Sequence, residues 1–256
     1  MADWTVLLTE RAMLAPARPR QALSLGLGGP VVGSIEGHLA RRLTHEGLPL
    51  HASPTGWHLA GPADAALDEL ARWLHAHRLG GQWRNELLTV TDEADQPVAA
   101  IERAAVRRLG ITTHAVHLVV RTAAGAVWVQ QRALDKATDP GLWDTTMGGL
   151  RSAAETAHDA LERETWEEAG LRLAQLQAVV PHGRLAVRRP VPDGYMVEHI
   201  DTFAAVLPDG VMPINQDGEV AGFECLSVAE LRQQLQQDRF TLEAALVMLR
   251  CIPDLR

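Results

Sequence analysis

The chain has only two cysteines, Cys225 and Cys251, too few for a disulfide framework, and it has no spaced Cys/His set of the kind that holds zinc. Scarce cysteine fits a reducing compartment, and a cytoplasmic location is expected. Long apolar runs are missing too. The run from Ala115 to Val120 is broken by His117 and is far too short to cross a bilayer, so no membrane partner is expected. The opening MADWTVLLTERAM lacks the basic start and long apolar stretch of a secretion signal. Positive charge is not in excess. Lys and Arg number 24 against 32 Asp and Glu, a formal net charge of −8, which argues against a surface built for nucleic acid and makes any phosphate site local. Internal repeats and low-complexity tracts are also absent.

What is present is apolar content of 46%, enough for one large core or two modest ones and inconsistent with disorder. Leu67, Leu70, Ala71 and Leu74 recur at helical spacing within residues 62–79, and Gly80-Gly81 follows as a stop. A shorter helix is expected over 35–43, with strands over 56–59, 86–91 and 97–101 around a turn at 92–96. These make a small α+β unit over residues 1–110 whose start, before Leu25, lacks a regular pattern. The texture changes near Gly110, and a second domain is expected over 111–256. Residues 115–121 and 126–132 suit a hairpin around Ala123-Ala124-Gly125. A loop with the turn signal Asp139-Pro140-Gly141 leads to a helix from Ser152, followed by strands over 178–188, 196–206 and 219–226. Two short helices close the chain, the first with a Ser227/Glu230 capping box and the second capped by Thr241.

The chemistry concentrates between Gly149 and Leu171. Ser152 and Glu155 have the spacing of a capping box, and Gly170 stands where a left-handed residue would end the helix, giving roughly four to five turns. Ala157, Ala160 and Leu161 form its apolar face. Steps of three and four residues bring Glu164 and Glu168 onto the same face, with Glu167 beside them. Three carboxylates crowded against a buried stripe repel one another and lose hydration, so a cation is expected there. Oxygen ligands without cysteine suit Mg²⁺ or Mn²⁺. A solvated acidic face is the common fate of an isolated E-x-x-E-E; the longer pattern argues otherwise.

That segment matches G-x5-E-x7-R-E-U-x-E-E-x-G-U, where U is aliphatic, at every fixed position except Thr165. It resembles the Nudix box, and the resemblance extends over roughly residues 112–250. It implies an α/β/α sandwich on a mixed sheet, preceded here by the small α+β domain, and Mg²⁺-dependent cleavage of a diphosphate linkage in a small molecule. By motif position, Glu164, Glu167, Glu168 and the Gly149 carbonyl would hold the metal, while Arg163 would pair with Glu155. For Glu155, capping and pairing are alternatives. The base that activates water would be Glu164 or a glutamate outside the box, for which Glu219 is the candidate because it follows a tight Asp-Gly turn. The departure at Thr165 should affect packing more than ligation.

Arg132 and Lys136 are candidates for binding phosphate, and Trp143 for stacking on a substrate ring, although surface charges and a core tryptophan are the commoner outcomes. Trp166 points about 160° to 200° away from the carboxylates, so packing against the N-terminal unit or a second copy in a homodimer is expected. His114 and His117 are expected to face one side of a strand, either touching a substrate ring or serving as structural residues. The stretches W83-R-N-E-L, residues 102–117, K136-A-T-D-P-G-L-W-D144, G194-Y-M-V-E198, Q216-D-G-E-V220 and residues 240–246 resemble the Nudix subfamily with its own N-terminal domain. That subfamily is linked to thiamin diphosphate metabolism, including its oxidised forms. Two other readings share the fold. Isopentenyl diphosphate isomerases have a similar K-x-T-x-P-G-x-W approach but place a cysteine in the strand that follows, where this chain has Asp144 to Gly148. Ligand sensors that have lost catalysis usually lose box carboxylates, and all of them remain here.

Overall fold

The computed structural model describes residues 3–136 and 138–255. Four short strands, β1 (Arg20–Leu25), β2 (Val31–Glu36), β3 (Leu50–Ser53) and β4 (Gly56–Leu59), form a sheet in the order β2-β1-β4-β3 with β1 and β4 parallel. Helices α2 (Gly37–His45) and α3 (Ala63–Ala76) bury their apolar stripes in the same core as this sheet, α3 through the residues the periodicity singles out. The helix expected over 35–43 starts later, because Ile35 and Glu36 belong to β2 and are ladder partners of Gln21 and Arg20. A hairpin of β5 (Leu87–Thr91) and β6 (Pro97–Glu102) completes the unit through Leu88, Val90 and Ile101.

The stretch before Leu25 is more ordered than its sequence suggests. Helix α1 (Trp4–Ala12), capped by the Asp3 side chain, precedes β1, but its Leu8 and Ala12 are buried with α6 (Leu242–Cys251) in the core of the second unit. The region expected to end at residue 110 thus gives its first helix to the one that follows. That helix packs there against α6 and the long strand that pairs with Met13 at Arg188.

The second unit is built on β7 (Thr112–Thr122), β8 (Val127–Arg132), β9 (Trp143–Asp144), β10 (Met147–Leu150), β11 (Gln177–Val191), β12 (Gly194–Leu207) and β13 (Val220–Leu226). The main path runs β11-β12-β7-β8-β13, with β12 parallel to β7 and the other pairs antiparallel. Alternation along β7 sorts its side chains: Val116, Leu118 and Val120 join the core with α4 (Ala157–Ala169), while Ala115 and Val119 join α1, α6 and α5 (Val228–Gln236). The result is the expected α/β/α sandwich on a mixed sheet. The capping box of Ser227 and Glu230 and the Thr241 cap both form. Among the described residues, no helix is long and apolar enough to cross a membrane.

Two features position the site. The β7–β8 hairpin pairs only at Val120–Trp128 and Arg121–Val127, then forks; β10 pairs with the freed part of β7 and β9 with that of β8. Thr146 bridges the fork, accepting from Val120 N at 2.9 Å and donating to Trp128 O at 2.6 Å, so main-chain groups left by the parting strands keep partners. The N-terminal hairpin docks on the loop before α4, where Ala153 N donates to Leu87 O at 2.8 Å and Thr89 Oγ1 to Ala153 O at 3.3 Å.

Candidate active site

Helix α4 begins at Ala157, capped by Thr156 in a reciprocal box with Asp159, and ends at Gly170, whose φ of 63° is the left-handed conformation expected there. The box expected at Ser152 and Glu155 does not start the helix, which is correspondingly shorter at 13 residues. Glu155 instead holds Arg163: its Oε1 accepts from Nε at 2.6 Å, and its Oε2 accepts from Nη2 at 2.9 Å and from Ser152 N at 2.9 Å. Glu155 thus makes the bond to Ser152 N and the two charge-assisted bonds to the guanidinium together, while the Thr156/Asp159 pair caps the helix. Arg163 also reaches Glu164 at 2.7 Å, Glu167 at 3.0 Å and the Leu150 carbonyl at 3.1 Å, tying the helix to β10. Its pKa is raised, first by the bond to Glu155.

Glu164 and Glu168 point into a cleft that Gly148 and Gly149 also line. Glu168 is 3% exposed, and its Oε2 accepts from Gln130 Nε2 at 2.8 Å and Gly148 N at 3.0 Å. Burial raises its pKa to about 8, with the charge of Glu164 adding to the effect. Burial likewise raises Glu164 to about 7, even though Arg163 opposes it. Glycine is required on the strand: a Cβ on Gly149 would lie 2.1 Å from the Glu164 carboxyl, and one on Gly148 would lie 2.5 Å from the His117 ring. Glu167 is more open and lines an adjoining groove. Thr165, the one departure from the box, is fully buried and its hydroxyl donates to Leu161 O at 2.5 Å, so the helix itself satisfies it.

The other candidates divide. Glu219 immediately precedes β13, lines the cleft, and its carboxylate is ion-paired with Lys136. Burial pushes Glu219 up, but the Lys136 ammonium, with Arg103 and Arg84 beyond it, brings the carboxyl below its ordinary range. Arg132 lines the cleft as well, yet its Nη1 bonds Asp144 at 3.2 Å and its Nε and Nη2 bond the Thr138 carbonyl, holding the loop that carries Lys136. Trp143 does not line the cleft: it is 5% exposed in the core with Phe240 and α6. Trp166 is 40% exposed, and Arg172 rather than the N-terminal unit covers its ring, at 4.2 Å.

His114 and His117 do not share a face. They stand three positions apart on one strand, so the pleat directs them oppositely. His117 lines the cleft and its Nδ1 is 2.9 Å from Thr145 Oγ1, whereas His114 meets Thr91 and His199 at the junction with the N-terminal hairpin. Asp95, His114 and His199 can bring three donor atoms within 4.8 Å of one another. This group is a poor match for Mg²⁺, which prefers oxygen ligands. Arg184 already bonds Asp95 at 2.7 Å, and Arg151, Arg184 and Arg188 add positive charge around the histidines.

Gln130 lies outside every motif, and Glu198, Arg84 and Arg103, although inside the stretches that carry the resemblance, have no site role that the sequence assigns. Gln130 could have been noticed as a polar residue within the strand pattern of β8. Glu198, pushed to about 7 by burial and next by Glu243, accepts from Thr113 Oγ1 at 2.9 Å in the cleft wall. Arg84 and Arg103 reach the cleft only because the hairpin docks there.

Residues 112–246 match the family model described as NUDIX domain. The chain is 36% identical over 115 residues to an uncharacterized Nudix hydrolase of Pseudomonas aeruginosa, a match covering 45% of this chain and 65% of that protein, just under two thirds of its length. It is 33% identical over 150 residues to an isopentenyl-diphosphate Delta-isomerase of Rhodobacter capsulatus, covering 57% and 81% respectively. A crystal structure of a Deinococcus radiodurans protein covers 65% of this chain and 99% of its own with a TM-score of 0.50 at 23% identity, a likeness of fold.

Proposed function

Because the chain belongs to the NUDIX domain family, we propose that it is a Mg²⁺-dependent hydrolase that cleaves the diphosphate linkage of a small organic diphosphate. The observation that carries this reading is that Glu164, partly buried, and Glu168, buried, line one cleft with their carboxyls raised to about 7 and about 8. Isolated ionised carboxyls in such a place are costly, and a divalent cation removes that cost. The residues fit the ion: the donors are oxygens, and Gly149 leaves room against Glu164 where any side chain would intrude. Glu164, Glu168 and the more open Glu167 would hold it, beside the Gly149 carbonyl. Once bound, Mg²⁺ or Mn²⁺ would stabilise charge on the phosphoryl oxygens and lower the pKa of the attacking water.

The chain's own residues divide the remaining work. Arg163, fixed by Glu155 and the Leu150 carbonyl, positions the helix carboxylates against β10. Glu219 stands outside the helix and is the group assigned to take a proton from water. In the free protein Lys136 keeps its pKa low; a phosphate that draws Lys136 away would make Glu219 a better base at the moment substrate arrives. Thiamin diphosphate and its oxidised forms head the candidate substrates because of the flanking resemblance, with ADP-ribose, NADH and nucleotide sugars as the comparison set.

The isomerase relative supports a second reading of the same cleft. Against it, no cysteine lines the cleft among the described residues: Cys225 is exposed on β13, and Cys251 is buried in α6. Hydrolysis with Mg²⁺ across the diphosphate panel, read as inorganic phosphate from terminal diphosphates and as phosphate monoesters from ADP-ribose, NADH and nucleotide sugars, separates these readings when wild type is compared with Glu168→Gln. Release by wild type that Glu168→Gln abolishes supports hydrolysis. Background rates for both on every compound would favour a sensor, and conversion of isopentenyl diphosphate without phosphate release would favour an isomerase.

A further inference from the structure

We propose that Arg84, supported by Arg103, forms an anion subsite for the terminal phosphate of the substrate, so that the N-terminal unit selects terminal diphosphates over diphosphates esterified at both ends. This inference rests on the diphosphate reading above and deepens it.

The groove beside the catalytic helix is lined by Glu164, Glu167 and Glu219 and by five cationic side chains, Arg84, Arg103, Arg132, Lys136 and Arg163. Four of the five are ion-paired: Arg103 with Glu86, Arg132 with Asp144, Lys136 with Glu219, and Arg163 with the helix carboxylates and Glu155. Among the described residues, the Arg84 guanidinium has no carboxylate or carbonyl partner. Its position is nevertheless built. The Glu102 carboxylate, 2% exposed, accepts from the backbone N of Arg84 at 2.9 Å through one oxygen and from that of Glu86 at 3.1 Å through the other. Arg103 N donates to Glu86 O at 2.9 Å, and Arg103 Nη1 bonds Glu86 Oε2 at 2.7 Å. The same hairpin is bonded to Ala153, just ahead of the catalytic helix. A buried acid therefore holds a short surface loop so that one uncommitted guanidinium opens on the groove that contains Glu164.

A terminal phosphate matches such a group. It carries close to two charges at neutral pH and three free oxygens, and a planar guanidinium can engage two of them at once. A diphosphate esterified at both ends has a single charge on each phosphorus, so it gains less from Arg84.

The test uses binding of methylenediphosphonate, a non-hydrolysable terminal diphosphate, and of ADP-ribose, an internal one, each with Mg²⁺ and measured by calorimetry. Arg84→Ala is expected to weaken methylenediphosphonate binding at least tenfold and Arg84→Lys less, with ADP-ribose affinity changed little. Arg41→Ala, which removes an exposed charge elsewhere in the unit, is expected to match wild type on both. No binding of methylenediphosphonate by wild type, equal affinity in wild type and Arg84→Ala, or equal loss on both ligands would overturn the subsite. Hydrolysis is scored separately, as inorganic phosphate from terminal diphosphates and as phosphate monoesters from ADP-ribose. Arg84-dependent binding in a protein that hydrolyses no diphosphate would support the subsite and refute the hydrolase; hydrolysis with Arg84-independent binding would do the reverse.

Discussion

The Glu164 carboxyl occupies the space that a Cβ on Gly149 would need, 2.1 Å from where that atom would stand. Both residues belong to the family motif, and the contact explains why they go together: strand and helix approach so closely that one member must have no side chain. Gly149→Ala is expected to push Glu164 aside, cutting phosphate release by about 100-fold or more while destabilising the fold by about 1–3 kcal/mol. Initial rates and urea melts check this. Wild-type rates in Gly149→Ala would mean that the close approach has no part in activity.

Burial raises Glu164 and Glu168 to about 7 and about 8 from an ordinary 4.5. A folded-state pKa above the unfolded one means that folding favours the protonated form. Stability from these groups is full below about pH 4.5 and is lost as pH rises through about 7 and 8, on the order of 1.4 kcal/mol per pH unit of displacement. Without divalent metal, the contribution of these two groups to the melting temperature is expected to fall from about pH 4.5 to about pH 8. With excess Mg²⁺ the slope should flatten or reverse, since the ion binds the anionic forms and releases protons. Identical slopes with and without Mg²⁺ would argue that the ion does not bind these carboxylates.

Lys136 is the chain's only lysine, so an amine-acylating reagent has a single side-chain target. Acylation is expected to lower kcat/KM for a diphosphate by about tenfold or more, roughly 1.4 kcal/mol, and Mg²⁺ with product should slow the modification. Mass spectrometry with kinetics reads both. Full activity after complete acylation of Lys136 would exclude a phosphate role for it.

His114 behaves in the opposite sense to the two glutamates. Burial, followed by the charge of Arg151, lowers its pKa to about 4 from 6.5, so the folded protein favours the neutral ring. Its contribution is complete above about pH 6.5 and is lost as pH falls through about 4, reaching about 3 kcal/mol. His114→Gln is expected to flatten the acid limb of a stability–pH profile. An unchanged limb would show that another group governs acid unfolding.

The sequence and the structure agree most closely where one rule acts alone. The stripe of Leu67, Leu70, Ala71 and Leu74, the left-handed end at Gly170 and the cap at Thr241 are each set by spacing or by a single residue's conformation. They part where two rules compete for one residue. Ser152 and Thr156 could each start the helix, and the reciprocal Thr156/Asp159 box sets the later start while Glu155 bonds both Ser152 N and Arg163; Ile35 fits a helix stripe, but the β1 ladder takes it. Trp143 and α1 turn on which core has room, which spacing does not record. The carboxylates proposed to hold the metal are legible as one helix face, whereas Gln130, Glu198 and Arg84 reach the cleft through pairing and docking between distant segments.

The fork bridged by Thr146 also constrains the route to the folded state. Strands β7 and β8 are adjacent in sequence and rich in β-branched residues, so the fastest structure available to them is a fully zipped hairpin, a local pairing that forms in microseconds. In the finished sheet that zipper must stop after Arg121–Val127 and Val120–Trp128, because the strand carrying Gly148 and Gly149 claims the rest of β7. The quick local product is therefore a competitor of the native state, and it would expel the glycine strand on which α4 rests. Thr146→Val, which removes the hydroxyl holding the fork open, should slow refolding more than it alters the rate of unfolding.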